Sequence, residues 1–433
     1  MQDYKIPRRF PLDMAGIVFP AVRTRDWNET YRTGFLLKEE IDPARLRQAL
    51  EDLHPRFPSF FVSVRRGFFW YYLERMDNLD RVVQREKGYP CRPMHIFSPD
   101  GPAIRVLYDR RRLSVELSHV VADGGGVTVF LKALLARYME LGGLVIPPDS
   151  GLPDLSEPPR ARELADDYRT FYTKNPGKLP TEAAAYQYHA PRTPGYLKVI
   201  HAMVPLEDIL PLVKAQGLTV TDYLMAVYIH AFYTADPRAR RGRRPIKIGI
   251  PVSLRKFYPS ESLRNFSLYA NMSFDPKAHS APRAKEDFSF EDILEAMRGK
   301  LAAAIEPEKM HRLLCENMSL MQNPAMRLMP NVLKRQFMRL GYLLLGESTN
   351  TAPLSNLGRF QLPPCLAERV ASVETFLGGN PRKSFGCVVI SDERLLHLYF
   401  SGETRKTDVQ RAFLRHLTGE GLRIRVESNI RKE

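Results

Sequence analysis

Apolar and polar residues alternate over residues 113–118, LSVELS. A period of two is typical of a β-strand with one buried face. His119 continues the apolar side of this alternation, and three glycines at 124–126 end it. From about residue 127 to 141, apolar residues recur at helical spacing and stop at Gly142-Gly143. The pattern therefore predicts a strand, a glycine-containing turn and a helix in that order.

Similar patterns precede this unit. Residues 30–37 are predicted as a strand, and Asp42 followed by Pro43 is a typical start for a helix over 42–53. Further short strands are predicted over 60–64, 68–73 and 104–108. The aromatic run within 68–72 is explained by a buried strand or by the lining of an acyl pocket.

A proline-rich stretch at 144–160 is the best candidate for a linker, and a loop rich in proline and small residues follows around 174–195. The domain prediction is a first half over 1–175 and a second half over 176–433. The second half contains further helical and strand patterns, with helices predicted over 206–216, 221–233, 291–305, 325–345 and 407–417, and strands over 246–250, 266–274, 384–390 and 395–400.

The last strand, loop and helix repeat the order found around His119, which indicates two related halves. Strands and helices mixed along the chain predict an α/β protein. The second copy lacks a matching histidine and aspartate. We therefore expect one active site per chain.

Composition narrows the class of protein. The chain has 433 residues, 44% hydrophobic and 26% charged, which is typical of a globular protein. No apolar run reaches the roughly 18 residues of a membrane span. The start of the chain lacks the apolar segment of a secretory signal, and four widely spaced cysteines favour free thiols, so we expect a cytoplasmic protein and no metal site.

The net charge of +15 leaves several partners open. A solvated basic surface is the simplest explanation, and a phosphate-bearing cosubstrate, an acidic carrier protein or a membrane surface are others. The basic clusters are short and scattered, without the aromatic interleaving of a nucleic-acid site, so no nucleic-acid partner is predicted.

The segment 119–126, HVVADGGG, carries the strongest chemical signal. Transfer of an acyl group to a hydroxyl or amine needs a base, and imidazole is well matched to that role near neutral pH. Asp123 can fix the loop through a salt bridge, and Gly124 and its neighbours allow close approach of a substrate. A hydrogen-bonded structural histidine is the alternative for His119 taken alone.

Four segments together resemble the CoA-dependent acyltransferase superfamily, which includes chloramphenicol acetyltransferase and nonribosomal condensation domains. They are HVVADGGG at 119–126, IDPARLRQALEDLHPRFPSF at 41–60, PVSLRKFYPSESLRNF at 251–266 and APLSNLGRF at 352–360. The resemblance covers nearly the whole chain and is strongest to bacterial alcohol-acetyltransferase-like proteins. Two departures are evident, since Ser118 stands where condensation domains usually have a histidine and the DFGWG element of the plant enzymes is absent.

The resemblance implies two halves like chloramphenicol acetyltransferase, with mixed sheets, flanking helices and an active-site tunnel at their interface. It implies that His119 is the general base, that Asp123 is structural and pairs with Arg255, and that Ser355 and Asn356 line the tunnel near the oxyanion. Acyl-CoA is then a cosubstrate for a small alcohol or amine acceptor, and no cofactor is permanently bound.

Two other functions stay open at this point. One is a condensation-type enzyme that uses an acyl carrier protein as the thioester donor, and the other is a non-catalytic binding relative of the fold. The sequence has no phosphate-binding loop, no dinucleotide-binding glycine motif and no Gly-x-Ser-x-Gly elbow. Acyl transfer is therefore the function that the sequence favours.

Overall fold

Three β-sheets organise the computed structural model, which describes residues 6–24, 27, 29–98, 100–174, 177, 179–278 and 287–430. In chain order the strands are β1 (Arg9–Pro11), β2 (Thr30–Leu37), β3 (Val62–Arg66), β4 (Tyr71–Arg75), β5 (Val83–Arg85), β6 (Ile104–Asp109), β7 (Arg112–Ser118), β8 (Lys198–Pro205), β9 (Ile246–Ser253), β10 (Ser267–Phe274), β11 (Ala352–Arg359), β12 (Val370–Leu377), β13 (Gly386–Ser391), β14 (Leu395–Gly402) and β15 (Arg425–Ser428).

Helices cover the faces of these sheets. In chain order they are α1 (Met14–Val22), α2 (Pro43–Leu53), α3 (Gly124–Glu140), α4 (Asp167–Thr170), α5 (Leu206–Ala215), α6 (Val220–Ala235), α7 (Pro237–Arg240), α8 (Phe290–Met297), α9 (Lys300–Ala304), α10 (Pro307–Gln322), α11 (Pro324–Leu328), α12 (Asn331–Gly341), α13 (Pro364–Ala367) and α14 (Asp408–Gly419). In the described part of the chain, no helix is long and apolar enough to cross a membrane.

The first half is built on a five-stranded sheet with the order β12-β2-β7-β6-β5. β7 is central, antiparallel to β2 and β6, and its apolar residues are fully buried as the alternation predicts. Its polar face is buried as well, because Glu116 binds the guanidinium groups of Arg32 and Arg105. The strand that ends at the motif is therefore held on both faces.

The second half is built on a seven-stranded mixed sheet with the order β10-β9-β11-β13-β14-β8-β15. One face packs on helices that include α6, α8 and α14. The other face packs on the first half, because Val388, Ile390 and Tyr399 belong to the first half's apolar core. The predicted fold class, mixed α/β with flanking helices, is confirmed.

One strand of the second half belongs to the sheet of the first half. β12 comes from the later part of the chain, yet it pairs antiparallel with β2 and forms the edge of the first sheet. The sheets therefore do not follow the predicted division into 1–175 and 176–433. Residues 175 and 176, where that division falls, lie outside the described residues.

Several predicted elements are shorter in the structure. The helix predicted over 291–305 is broken at Gly299, which adopts a φ of 73°, into α8 and α9. The helix predicted over 325–345 is interrupted at Pro330. The strand predicted over 68–73 begins at Tyr71, because residues 67–70 form the turn between β3 and β4. The aromatic run therefore starts at an exposed hairpin tip, not in a buried strand.

Candidate active site

The backbone of His119 is anchored on both sides. His119 directly follows β7, and its N–H donates to the carbonyl of Glu29 at 3.1 Å. Its own carbonyl accepts from Nδ2 of Asn265 at 2.8 Å. Glu29 precedes β2 of the first half, whereas Asn265 belongs to the second half. The histidine is thus fixed at the junction between the halves.

Two aromatic side chains form the walls around the His119 ring. Phe19 of α1 stacks on it with ring centres 5.5 Å apart, and Tyr31 of β2 lies 4.2 Å away. The hydroxyl of Tyr31 donates to the carbonyl of Ala122 at 3.0 Å. This bond holds Tyr31 against the motif loop, and the two rings restrict the orientation of the imidazole.

Burial sets the protonation state of His119. Desolvation lowers its pKa from 6.5 to about 4, and the opposing effects of the Asp123 charge and of a hydrogen bond with the Ala122 backbone are smaller. A neutral imidazole has one unprotonated ring nitrogen, and that nitrogen can act as a base. The side chain keeps partial solvent access. At neutral pH the imidazole is therefore unprotonated.

Asp123 points away from the imidazole and binds the second half. Its carboxylate accepts from Nη1 of Arg255 at 2.8 and 3.1 Å and from the backbone N–H of Phe266 at 2.8 Å. It also caps α3, accepting from the N–H groups of Gly125 and Gly126 at 3.1 Å. The structure thus brings together the pair Asp123 and Arg255 that the sequence analysis names.

Arg255 organises the loop that faces the motif. Its guanidinium donates to the carbonyls of Ser262 and Arg264 at 2.6–3.1 Å, in addition to Asp123. These bonds fold residues 255–264 back toward β10 and present Asn265 to His119. One ion pair therefore connects the motif loop to the segment that anchors the histidine.

The glycines of the motif make room for this segment of the second half. A Cβ on Gly126 would lie 1.9 Å from the carbonyl oxygen of Leu263, and one on Gly125 would lie 3.0 Å from Nη1 of Arg255. A Cβ on Gly124 would lie 3.0 Å from Cδ2 of Leu357. These glycines allow the second half of the protein to approach the motif closely, whereas the sequence predicts close approach of a substrate.

Asp13 and Asn265 are buried polar residues beside the motif that the sequence did not predict as site residues. Asp13 is buried, caps α1 through the N–H of Gly16 at 2.6 Å, and accepts from Nδ2 of Asn265 at 3.1 and 3.2 Å. Burial raises the pKa of Asp13 to about 6. Asn265 lies in PVSLRKFYPSESLRNF, one of the four segments that resemble the acyltransferase superfamily, and this resemblance could have identified it. The signal for Asp13 is a capping residue before an apolar run.

Ser355 and Asn356 lie on opposite faces of β11. Ser355 pairs with Val388, which belongs to the apolar core of the first half, so its side chain faces that half. Asn356 faces the helices, where its Nδ2 donates to Oγ1 of Thr221 at 2.8 Å and its Oδ1 accepts from the N–H of Gly358. The structure does not bring the Asn356 amide toward His119.

A small cavity lies between the halves, lined by residues that include Thr30 and Cys91 on one side and Leu197 and Glu403 on the other. His119 does not line it. The tunnel implied by the resemblance stays a prediction. Among the described residues no cluster of three or more His, Cys, Asp or Glu side chains is arranged to hold a metal ion.

Comparisons with solved structures identify the fold. The chain is similar to the nonribosomal peptide synthetase FmoA3, with 17% identity and a TM-score of 0.56 over 96% of this chain and 42% of that one, so it spans less than half of that protein. It is also similar to polyketide synthase associated protein 5 from Mycobacterium tuberculosis, with 14% identity and a TM-score of 0.56 over 95% of this chain and 98% of that one.

A third similar structure is TRI3, the trichothecene 15-O-acetyltransferase from Fusarium sporotrichioides, with 10% identity and a TM-score of 0.57 over 95% of each chain. No protein-family model matches the chain, and no curated protein matches it by sequence. At these identities the likeness establishes the fold, which is one that acyltransferases and nonribosomal peptide synthetases share.

Proposed function

We propose that this protein is an acyltransferase that moves an acyl group from a thioester to a small alcohol or amine, with His119 as the general base. The observation that carries this proposal is the state of His119. Its imidazole is neutral, confined between Phe19 and Tyr31, and anchored through its backbone to both halves. An unprotonated, oriented imidazole is what deprotonation of an acceptor requires.

The reaction follows from this arrangement. The acceptor donates its O–H or N–H to the free ring nitrogen of His119, and its oxygen or nitrogen attacks the thioester carbonyl as the proton moves to the ring. The tetrahedral intermediate then expels the thiolate, and His119 returns the proton to the sulfur. Asp123 takes no part in proton transfer, because its carboxylate is bound to Arg255 and to backbone N–H groups.

Ser355 is the better candidate for stabilising the oxyanion. Its side chain faces the first half, and a hydroxyl at that position can donate to a developing negative charge. The amide of Asn356 is already bonded to Thr221 and Gly358. We therefore propose that Asn356 has a structural role at the end of β11. We propose that Ser355 is the residue nearer the reacting carbonyl.

We propose acyl-CoA as the donor. The net charge of +15 suits a cosubstrate with several phosphates, and free thiols at the described cysteines suit the reducing cytoplasm in which we place the reaction. An acyl carrier protein is the alternative donor, and the likeness to part of FmoA3 is compatible with it.

The test is acceptor-dependent release of CoA. The purified protein is mixed with acyl-CoAs of several lengths and a panel of alcohols and amines, free thiol is measured, and the acylated product is identified by mass spectrometry. The His119→Ala variant is compared with His189→Ala, a matched variant of an exposed histidine. Release that requires both acceptor and His119 supports the proposal. Acylation only from a carrier protein, or equal rates for all three proteins, would contradict it.

A further inference from the structure

Helix α12 and the turn after it carry large apolar side chains on their solvent side. Leu333, Phe337, Leu340 and Leu344 follow one another at helical spacing, and each is at least half exposed. Val332 of α12 and Leu328 at the end of α11 extend this surface. We name these six residues the apolar face, which consists of Leu328, Val332, Leu333, Phe337, Leu340 and Leu344.

The inward side of α12 buries a charged residue, Lys334, as well as Met338. Lys334 is only 1% exposed, its Nζ donates to the carbonyl of Phe69 at 2.7 Å, and it lies 3.2 Å from the ring centre of Trp70. A surface helix of a globular protein normally buries its apolar side and exposes its charged side. Packing within the protein therefore does not explain the apolar face.

The neighbouring hairpin tip enlarges this surface. Phe68 is 73% exposed and Phe69 40%, and the carbonyl of Phe68 accepts from the N–H of Asn331 at 2.8 Å. Eight of the fourteen large apolar side chains that are exposed in the described residues belong to the apolar face and this tip. The concentration marks an interaction surface, not scattered surface residues.

The charge around the apolar face has one sign. Residues 324–346 contain four basic residues and no acidic residue. Within the described part of the chain, no carboxylate lies within ion-pair distance of Arg327, Arg335 or Arg339. Three guanidinium groups are thus available beside the apolar side chains.

We propose that the apolar face docks on an anionic membrane surface. A helix with an apolar side and arginines along its flanks is suited to lie in the interface, with its apolar side chains at the boundary of headgroups and acyl chains. A second copy of this chain fits less well, because a symmetric contact would bring the same arginines together. The net charge of +15 adds to the attraction.

The proposed surface lies close to His119. α12 packs on α1, and α1 carries Phe19, which stacks on the imidazole. The ring of Tyr342, just after α12, lies 6.3 Å from that of Trp27. Docking would place the lipid surface one helix away from the candidate active site.

The test is co-sedimentation of the full chain with vesicles of phosphatidylcholine alone or with about one-third phosphatidylglycerol. We expect binding to the anionic vesicles that weakens with salt. The double variant Leu333→Ser, Phe337→Ser should weaken binding at least about tenfold, because two exposed apolar side chains that docking would bury are lost. The pair Arg335→Gln, Arg339→Gln should weaken binding to anionic vesicles only.

The matched control is Val145→Ser with Leu210→Ser, two exposed apolar residues elsewhere on the surface, and it should bind like the unchanged protein. Circular dichroism checks that each variant folds. No binding to anionic vesicles at low salt, or equal binding by the Leu333→Ser, Phe337→Ser variant, would overturn the proposal. So would a dimer in light scattering that this variant dissociates, since a second copy would then be the occupant.

Discussion

The two halves contain the same strand–loop–helix unit with different chemistry. In the first half five residues, His119 to Asp123, connect β7 to α3. In the second half five residues, Glu403 to Thr407, connect β14 to α14. His119 therefore corresponds in position to Glu403, and Asp123 corresponds to Thr407.

The difference between the two units lies in what their loops bind. Asp123 caps α3 and reaches Arg255 in the other half, whereas the Thr407 side chain makes no capping bond to α14. Glu403 pairs with Arg192, a residue of its own half. The same backbone arrangement thus occurs twice. Among the described residues, the loop of the first unit forms an ion pair with the other half, whereas the ion pair of the second loop stays within its own half.

The largest expected effect comes from removing the imidazole. His119→Ala should lower turnover by about 10²–10⁴-fold, the usual contribution of a general base, with little change in fold. Steady-state rates and circular dichroism check this. Glu403→Gln, at the matching position of the second unit, should leave turnover within about twofold. Equal losses in the two variants would mean that the units do not differ as proposed.

The second effect concerns the ion pair across the interface. Asp123→Ala and Arg255→Ala should each destabilise the protein by about 3–5 kcal/mol, because each leaves a largely desolvated charge without its partner. Stability and activity should fall together, and the double variant should be no worse than the sum. Denaturant unfolding and rates measure both.

Thr407→Ala is the matched change in the second unit. Its side chain makes no capping bond, so the free energy of unfolding should change by no more than about 0.5 kcal/mol. An Asp123→Ala protein with full stability and no activity would instead make Asp123 a direct participant in the reaction.

The third effect is the pH profile of the first unit. With the pKa of His119 lowered to about 4, kcat/KM should change by less than about twofold between pH 5 and 8. An ordinary histidine would lose about 30-fold at pH 5. Because the unfolded chain binds this proton at a higher pH than the folded one, His119 should also reduce stability as the pH falls from about 6.5 to 4.

Asp13, whose pKa is raised to about 6, titrates in the same window. Asp13→Asn separates the two groups: a kinetic inflection near pH 6 that disappears in this variant belongs to Asp13. An inflection that persists would assign an ordinary pKa to His119 and contradict the buried, neutral base.

The smallest effect concerns Glu29, whose carbonyl anchors His119. Its carboxylate is buried without a hydrogen-bond partner in the described structure, and burial raises its pKa well above 4.5. The folded protein then holds a proton that the unfolded chain releases, so Glu29 should lower stability increasingly as the pH rises above 4.5. Glu29→Gln should raise Tm by about 2 °C at pH 8 and by less at pH 5. A constant difference would show that Glu29 is ionised throughout.

Local patterns predict the first unit well. The alternation before His119, the cap at Asp42 and the glycine-terminated helix depend on neighbours in sequence, and the structure has β7, α2 and α3 at these places. The pairing of Asp123 with Arg255 came from a resemblance, since a separation of 132 positions in the sequence leaves no local signal.

Long-range contacts explain what the sequence analysis missed. β12 joins the first sheet by pairing with β2, more than 300 residues earlier in the chain. The alternation of apolar and polar residues predicts a strand but not the strand with which it pairs. Asn265 binds the carbonyl of His119 through its side chain, which depends on how residues 255–264 fold around Arg255. Phe19 and Tyr31 look like ordinary core residues until α1 and β2 are placed beside the motif.

The crossing strand β12 affects how the protein can move. Since β12 is hydrogen-bonded along β2 while the chain on either side of it returns to the second sheet, any movement of one half relative to the other must be accommodated by the short segments that flank β12. If the proposed reaction is correct, we expect substrates to enter and leave through local movements of loops and of helices such as α1 and α12. Local unfolding of this kind costs less than global opening and is measurable by hydrogen exchange. On this view, local opening of loops and surface helices accompanies turnover, while β2 and β12 stay paired.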